Sequence, residues 1–289
     1  MTLTLQGIID MHVHTAPDVQ IRKCNDFELV DTAVQAGARA IVIKSHLGST
    51  AERAALCNDY NQRVHGKNGF TMYGGLVLNQ TVGGLNPSAV RAALKLGAKV
   101  IWLPTVDSLN HRVKHGKSGG LTVLDEIGQV KNAVEEIMCM VRDWRIVLAT
   151  GHLSPVEIYK VADLADRLGL EKLVVTHPEF WVVGLTHHQQ AELVRQYSVI
   201  LERCCRQPQP DDRWYDNLPD TCRLIHELGC QHILLSTDSG QPENPAWAQQ
   251  EMDMLHFLLE NGIPAEAIRK MTQDTPAGLL DDSPILGDA

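Results

Sequence analysis

Eight short runs rich in Val, Ile and Leu recur along this 289-residue chain, each separated from the next by an amphipathic stretch. That alternation limits the folds open to it. The runs span residues 7–14, 39–46, 70–78, 98–104, 145–151, 171–177, 198–203 and 232–238. Most are apolar on both faces, as parallel strands covered by helices should be. Gly37, Gly97, Gly169 and Gly229 each stand a few residues before a strand. Glycine fits the left-handed residue just past a helix end, so these positions mark helix-to-strand turns. Helix starts are legible too. Ser154-Pro155-Val156-Glu157 has the spacing of a capping box, and Thr186-His187-His188-Gln189 has the related T-x-x-Q spacing. Asn86-Pro87 and Ile263-Pro264 open two more helices. Strict alternation within one domain predicts a (β/α)8 TIM barrel over residues 1–280, with residues 281–289 a loosely held tail. A doubly wound open sheet is the alternative. No glycine-rich phosphate loop follows the first strand, which argues against its nucleotide-binding version.

A barrel delivers the C-terminal ends of all its strands to one mouth, where chemistry is done. Read in order, those ends carry His12 and His14, Lys44 and His46, His152, His177 and Asp238. Residues two apart in a strand share a face, so His12 and His14 aim two imidazoles at one point, and Lys44 and His46 form a second such pair. Neutral imidazoles with a carboxylate suit zinc or a similar divalent ion. Two connections are longer than turns require. Thr105 to Gly120 holds His111, Arg112, Lys114, His115 and Lys117, and Arg206 to Pro219 holds Arg213, Trp214 and Tyr215. Long loops on this face make His111, Arg112 and His115 candidates for substrate binding, together with His46 and with Arg22 after the first strand. His187 and His188 fall in a helix's first turn and read as solvated; His226, His232 and His256 lack strand-end positions and read as structural.

Composition excludes several classes. A net charge of −9 offers no basic footprint for nucleic acid or an anionic membrane. No apolar run approaches the ~20 residues of a membrane span, and Met1 to Gln6 lack the basic start and apolar core of a signal peptide. Seven cysteines, an odd number irregularly spaced, predict reduced thiols and a cytoplasmic protein. Cys204-Cys205 has no second C-x-x-C to pair with, so a separate zinc site is not expected there.

The chain resembles the amidohydrolase superfamily of metal-dependent barrel hydrolases. The resemblance rests on Asp10-Met11-His12-Val13-His14, Gly151-His152, His177-Pro178 and Thr237-Asp238-Ser239. Asp274-Thr275-Pro276-Ala277 is also similar to the superfamily's terminal N-x-P-A segment. It implies that His12, His14 and Asp238 hold one metal and that His152 and His177 hold a second. Many members bridge two metals with a carboxylated lysine or a glutamate on strand four, whereas strand four here ends Ile101-Trp102-Leu103-Pro104. Lys44, on strand two, is then either a carboxylated bridge from an unusual position or an ammonium that binds substrate, and the metal count stays at one or two, with zinc expected. The resemblance further implies a homo-oligomer and hydrolysis of an amide, cyclic amide or lactone of a small molecule, with Asp238 and Lys44 catalytic. The loop cations suit a carboxylate on that substrate. The alternatives are a histidinol-phosphatase-like phosphoesterase, a metal-dependent decarboxylase, and a non-catalytic metal-binding barrel. The phosphoesterase reading expects a late D-x-H, and Asp238-Ser239-Gly240 lacks that histidine.

Overall fold

A computed structural model describes residues 4–211 and 213–280, so the tail expected at 281–289 lies outside the described residues. Within them, eight parallel strands follow the predicted order. They are Ile9–Val13, Ala40–Ile43, the split pair Thr71–Tyr73 and Gly75–Val77, Val100–Trp102, Val147–Ala149, Leu173–Val175, Ile200–Cys204 and Ile233–Ser236. The third strand changes partners midway, its first half pairing with strand two and its second with strand four. Between the halves sits Gly74, where a Cβ would overlap the carbonyl of Thr50. Strands four to eight then pair in sequence. The eighth strand reaches the first through a Val13–Ser239 bridge and a hydrogen bond from the His14 N–H to the Ser239 carbonyl at 2.8 Å. The barrel closes through that contact.

Local chemistry explains the outer helices. Gly37 (φ 77°) and Gly169 (φ 67°) end theirs in the left-handed conformation. Ser154 with Glu157, and Thr186 with Gln189, form reciprocal capping boxes. Apolar side chains divide into two layers by strand parity. One set packs between strands and helices. The other fills the barrel interior with alternate residues, among them Ala40 and Val42, Val100 and Trp102, Val147 and Ala149, and it is joined by Leu279 and Leu280 of the terminal helix Thr275–Leu280. Each fully buried Val or Leu contributes about 1.5–3 kcal/mol.

The first strand breaks simple alternation, and the break matters. Ile9 and Met11 point into the interior set, whereas Val13 belongs to the outer one. The pairing register with strand two slips between Asp10 and Val13. Such an irregularity re-aims side chains, and here it turns His12 and His14 toward the mouth. Both long connections carry structure of their own. The first holds a short helix, Leu109–Lys114, and the second an antiparallel hairpin, Arg206–Pro208 with Trp214–Asp216. No described helix is long and apolar enough to cross a membrane.

Candidate active site

At the mouth, His12 Nε2 and His14 Nε2 each lie 3.2 Å from Asp238 Oδ1. Strands one and eight are held in that relation from behind by Asp10. Its carboxylate accepts from the His12 N–H (3.0 Å), the Thr237 hydroxyl (2.5 Å) and the Trp247 indole (3.0 Å). Asp238 (φ 50°) and His177 (φ 26°) both adopt left-handed backbone, a conformation that costs energy for any residue with a Cβ and that gathers at functional sites. Gly151 (φ 61°) turns the chain just before His152, and a Cβ on it would collide with the Leu103 carbonyl.

The imidazoles form a continuous cluster. His12 and His177 have ring centres 6.0 Å apart, His152 and His177 5.0 Å, and His14 and His46 5.0 Å. His152 Nδ1 meets His111 Nδ1 at 2.8 Å. Burial drives all of them toward the neutral form, because a charged imidazole loses its hydration there. It pushes His12 and His177 down to about 3, His111 down to about 4, and His14, His46 and His152 well below their ordinary value. The site at neutral pH therefore presents lone pairs, as a cation requires.

Most of the residues read from the sequence come together here. His12, His14, Arg22, Lys44, His46, His111, His152, His177 and Asp238 line one cleft, which encloses about 630 Å³ of space partly open to solvent. Phe180, Val106, Pro208 and Trp214 give it apolar walls, and Gln20, Gln207 and Gln241 give it amides. Arg22 pairs with Asp18 at 2.8 Å. Two candidates do not reach the cleft. The Arg112 guanidinium donates to the Ser118 carbonyl of its own loop (2.9 Å), and His115 stacks outside His111 and beside Trp181. His187, read as solvated, instead bridges Asp220 and Glu227.

Glu202 escaped the sequence reading, and Cys204 was considered there only as part of a separate zinc site and set aside. Both lie on strand seven, buried, with parity toward the mouth. Glu202 Oε2 is 3.3 Å from His12 Nδ1. Its carboxyl is pushed up to about 7 by burial, against the pull of Lys44. The fully buried Lys44 lies with Nζ 2.9 Å from His12 Nε2 and 5.5 Å from the Trp102 ring centre. Burial lowers its pKa, opposed by Asp238, Glu202 and Cys204.

These residues suit a divalent cation. His12, Cys204 and Asp238 each offer a ligand atom, and the three atoms lie within 4.8 Å of one another. His14 Nε2 faces the same Asp238 oxygen, and His177 Nδ1 is buried without a hydrogen-bond partner. One lone pair on His12 Nε2 cannot serve both a cation and the Lys44 ammonium, so the two are alternatives. Burial, which lowers the Lys44 pKa, weakens the ammonium's claim on that lone pair.

Closed parallel barrel, strand-end histidines and a strand-eight aspartate together make this the fold of the amidohydrolase superfamily. Solved structures of that kind superpose over nearly the whole chain. The dipeptidase AC, a metallopeptidase of family M19, matches at TM-score 0.65 and 13% identity, covering 96% of this chain and 99% of the other. An amidohydrolase from Pseudomonas aeruginosa matches at 0.63 and 11%, covering 96% of each. A Pseudomonas putida protein assigned as a 2-pyrone-4,6-dicarboxylic acid hydrolase matches at 0.58 and 16%, covering 98% of this chain and all (100%) of its own. No curated protein matches in sequence. Residues 7–202 match the model of a family of unknown function, DUF6282, and the chain belongs to that family.

Proposed function

We propose that this protein is a metal-dependent hydrolase of a small, carboxylate-bearing molecule, cleaving an amide, cyclic amide or lactone bond, with zinc as its ion. The observation that carries this reading is the convergence of His12 Nε2 and His14 Nε2 on one Asp238 oxygen inside a cleft that also holds Arg22 and Lys44. His12, His14 and Asp238 would hold the cation. Among the described residues the one set of three donor atoms within 4.8 Å of one another is His12, Cys204 and Asp238, at this same place, which favours a single ion. When bound, the ion supplies a Lewis acid and lowers the pKa of water toward ~7.

The chain's own groups supply the rest. Asp238 keeps its side chain 14% exposed, enough to take a proton from an attacking water and return it to the leaving group. Arg22 presents a buried guanidinium to a substrate carboxylate, and its partner Asp18 holds it in place. Phe180 and Trp214 exclude water from an apolar or planar substrate body. Two structural relatives fit this scheme. One is named a dipeptidase, and the other is assigned to a pyrone, which is a cyclic ester, that carries two carboxylates.

The test is turnover of a panel of carboxylate-bearing lactones, cyclic amides and dipeptides by zinc-loaded protein, with Asp238→Asn alongside. Hydrolysis that falls at least about 100-fold in the variant while the fold persists is expected. Turnover indifferent to the substitution, or no turnover by fully loaded protein, would overturn the proposal.

A further inference from the structure

Strand seven brings a thiol into a cluster that otherwise consists of imidazoles and carboxylates. In Ile200–Cys204 the side chains alternate, so Glu202 and Cys204 share the interior face. Arg203, between them, points outward to Thr221, Gln190 and Asp220. Cys204 is 1% exposed, and its thiol makes no hydrogen bond among the described residues. Its neighbour Cys205 faces the other way and is spoken for, with Sγ 3.7 Å from the Ser236 carbonyl oxygen and 3.2 Å from the Met254 sulfur.

We propose that Cys204 is a ligand of the active-site cation, so that the ion is held by thiolate, imidazole and carboxylate together, from strands seven, one and eight. The proposal rests on the metal-dependent reading above and adds to it a ligand from a strand that the superfamily resemblance leaves without one. With His12, His14 and Asp238 this makes four protein donors, so the water of the hydrolytic step would enter as a fifth ligand. The geometry is near to closure. Ligand atoms around a tetrahedral zinc stand roughly 3.3–3.7 Å apart at ordinary Zn–N, Zn–O and Zn–S lengths. The three atoms here lie within 4.8 Å of each other, so the set needs to close by at most about 1.5 Å on binding. Coordination replaces the S–H bond with an S–metal bond, and the proton leaves to solvent. A thiolate makes the site softer and more negative. It favours zinc, cobalt and similar ions over magnesium, calcium and manganese, which prefer oxygen donors.

Cobalt(II) is the probe. The full chain is stripped of metal and reloaded, and bound cobalt is counted by elemental analysis. A near-ultraviolet thiolate-to-cobalt charge-transfer band is expected in the wild type and in Cys205→Ser. In Cys204→Ser the band vanishes, and cobalt binds at least about tenfold more weakly, no less than loss of an outer-shell partner would cost. Zinc-edge X-ray absorption on the unmodified chain gives an independent answer should the variant not fold: one sulfur in the first shell. Stoichiometric metal without the band or the sulfur shell overturns the Cys204 assignment and leaves the hydrolase reading standing. A band that survives Cys204→Ser also overturns it. A chain that takes up neither cobalt nor zinc overturns both.

Discussion

Replacing Arg203 by methionine tests the energetics of the wall behind the cleft. This guanidinium is completely buried, 2.9 Å from Glu179 Oε2 and 2.6 Å from Asp220 Oδ2. Asp220 is 30% exposed and keeps Arg223 and His187 as partners, so it tolerates the loss. Glu179 does not. Its side chain is 7% exposed, and its remaining partners are the amides of Gln207 and Asn217. Breaking a buried pair by removing one partner costs about 3–5 kcal/mol, because the other charge is left uncompensated. At about 2 °C per kcal/mol for a chain of this size, that is roughly 6–10 °C in Tm. Burial already raises the Glu179 pKa, and Arg203 opposes the rise. Without the arginine the pKa goes higher still. A carboxyl whose folded pKa is raised stabilises most when protonated, so the deficit of Arg203→Met shrinks as pH falls and grows as pH rises. Adding Glu179→Gln removes the stranded charge and recovers more than about half of the loss. Thermal melts and urea midpoints of the two singles and the double, at neutral and mildly acidic pH, measure each term. A single-variant loss below about 1 kcal/mol, or a double no better than Arg203→Met, would refute the reasoning.

Gly240→Ala places a Cβ against the carbonyl of His14 at a φ of 117°. Overlap and strain together destabilise by about 2–5 kcal/mol, and metal titration should show weakened binding because His14 is displaced. In metal-free protein, stability should fall as pH drops below about 6.5. His12 and His177, lowered to about 3, and His111, lowered to about 4, stay neutral in the folded chain while their unfolded counterparts take up protons, so their contribution is present above pH 6.5 and lost as pH falls. His14, His46 and His152 are lowered as well and act in the same direction. Asp10 and Glu202, raised to about 7, do the opposite, contributing most at low pH and losing it as pH rises through about 7, and the raised Glu179 and Glu251 join them. The lowered imidazoles outnumber the raised carboxyls, so the net result is a loss of stability toward acid. Urea midpoints from pH 8 to about pH 3.5 check this; stability that holds or rises between about pH 6.5 and about pH 4.5 would contradict it.

The eight-strand barrel was legible in the chain because its signals are local. Apolar runs, helix-ending glycines such as Gly37 and Gly169, and the capping boxes at Ser154 and Thr186 depend on a few neighbouring residues each. The strand-end positions of His12, His14, His152, His177 and Asp238 followed from the same reading. Convergence is a different matter. Glu202, in the run Ile200-Leu201-Glu202-Arg203-Cys204, looks like any charged residue on a strand until seven other strands curve around it and bring His12 to 3.3 Å. Cys204 had no partner in sequence, and its companions His12 and Asp238 come from strands one and eight. The slip between Asp10 and Val13 carries no mark in the residues themselves, because a register exists only between paired strands. Arg112 and His115 sat in the right loop, and only the packed loop shows them turned from the cleft. Periodicity and capping are properties of neighbours along the chain and can be read there. Burial, register and the meeting of groups from distant strands exist only once the barrel has closed.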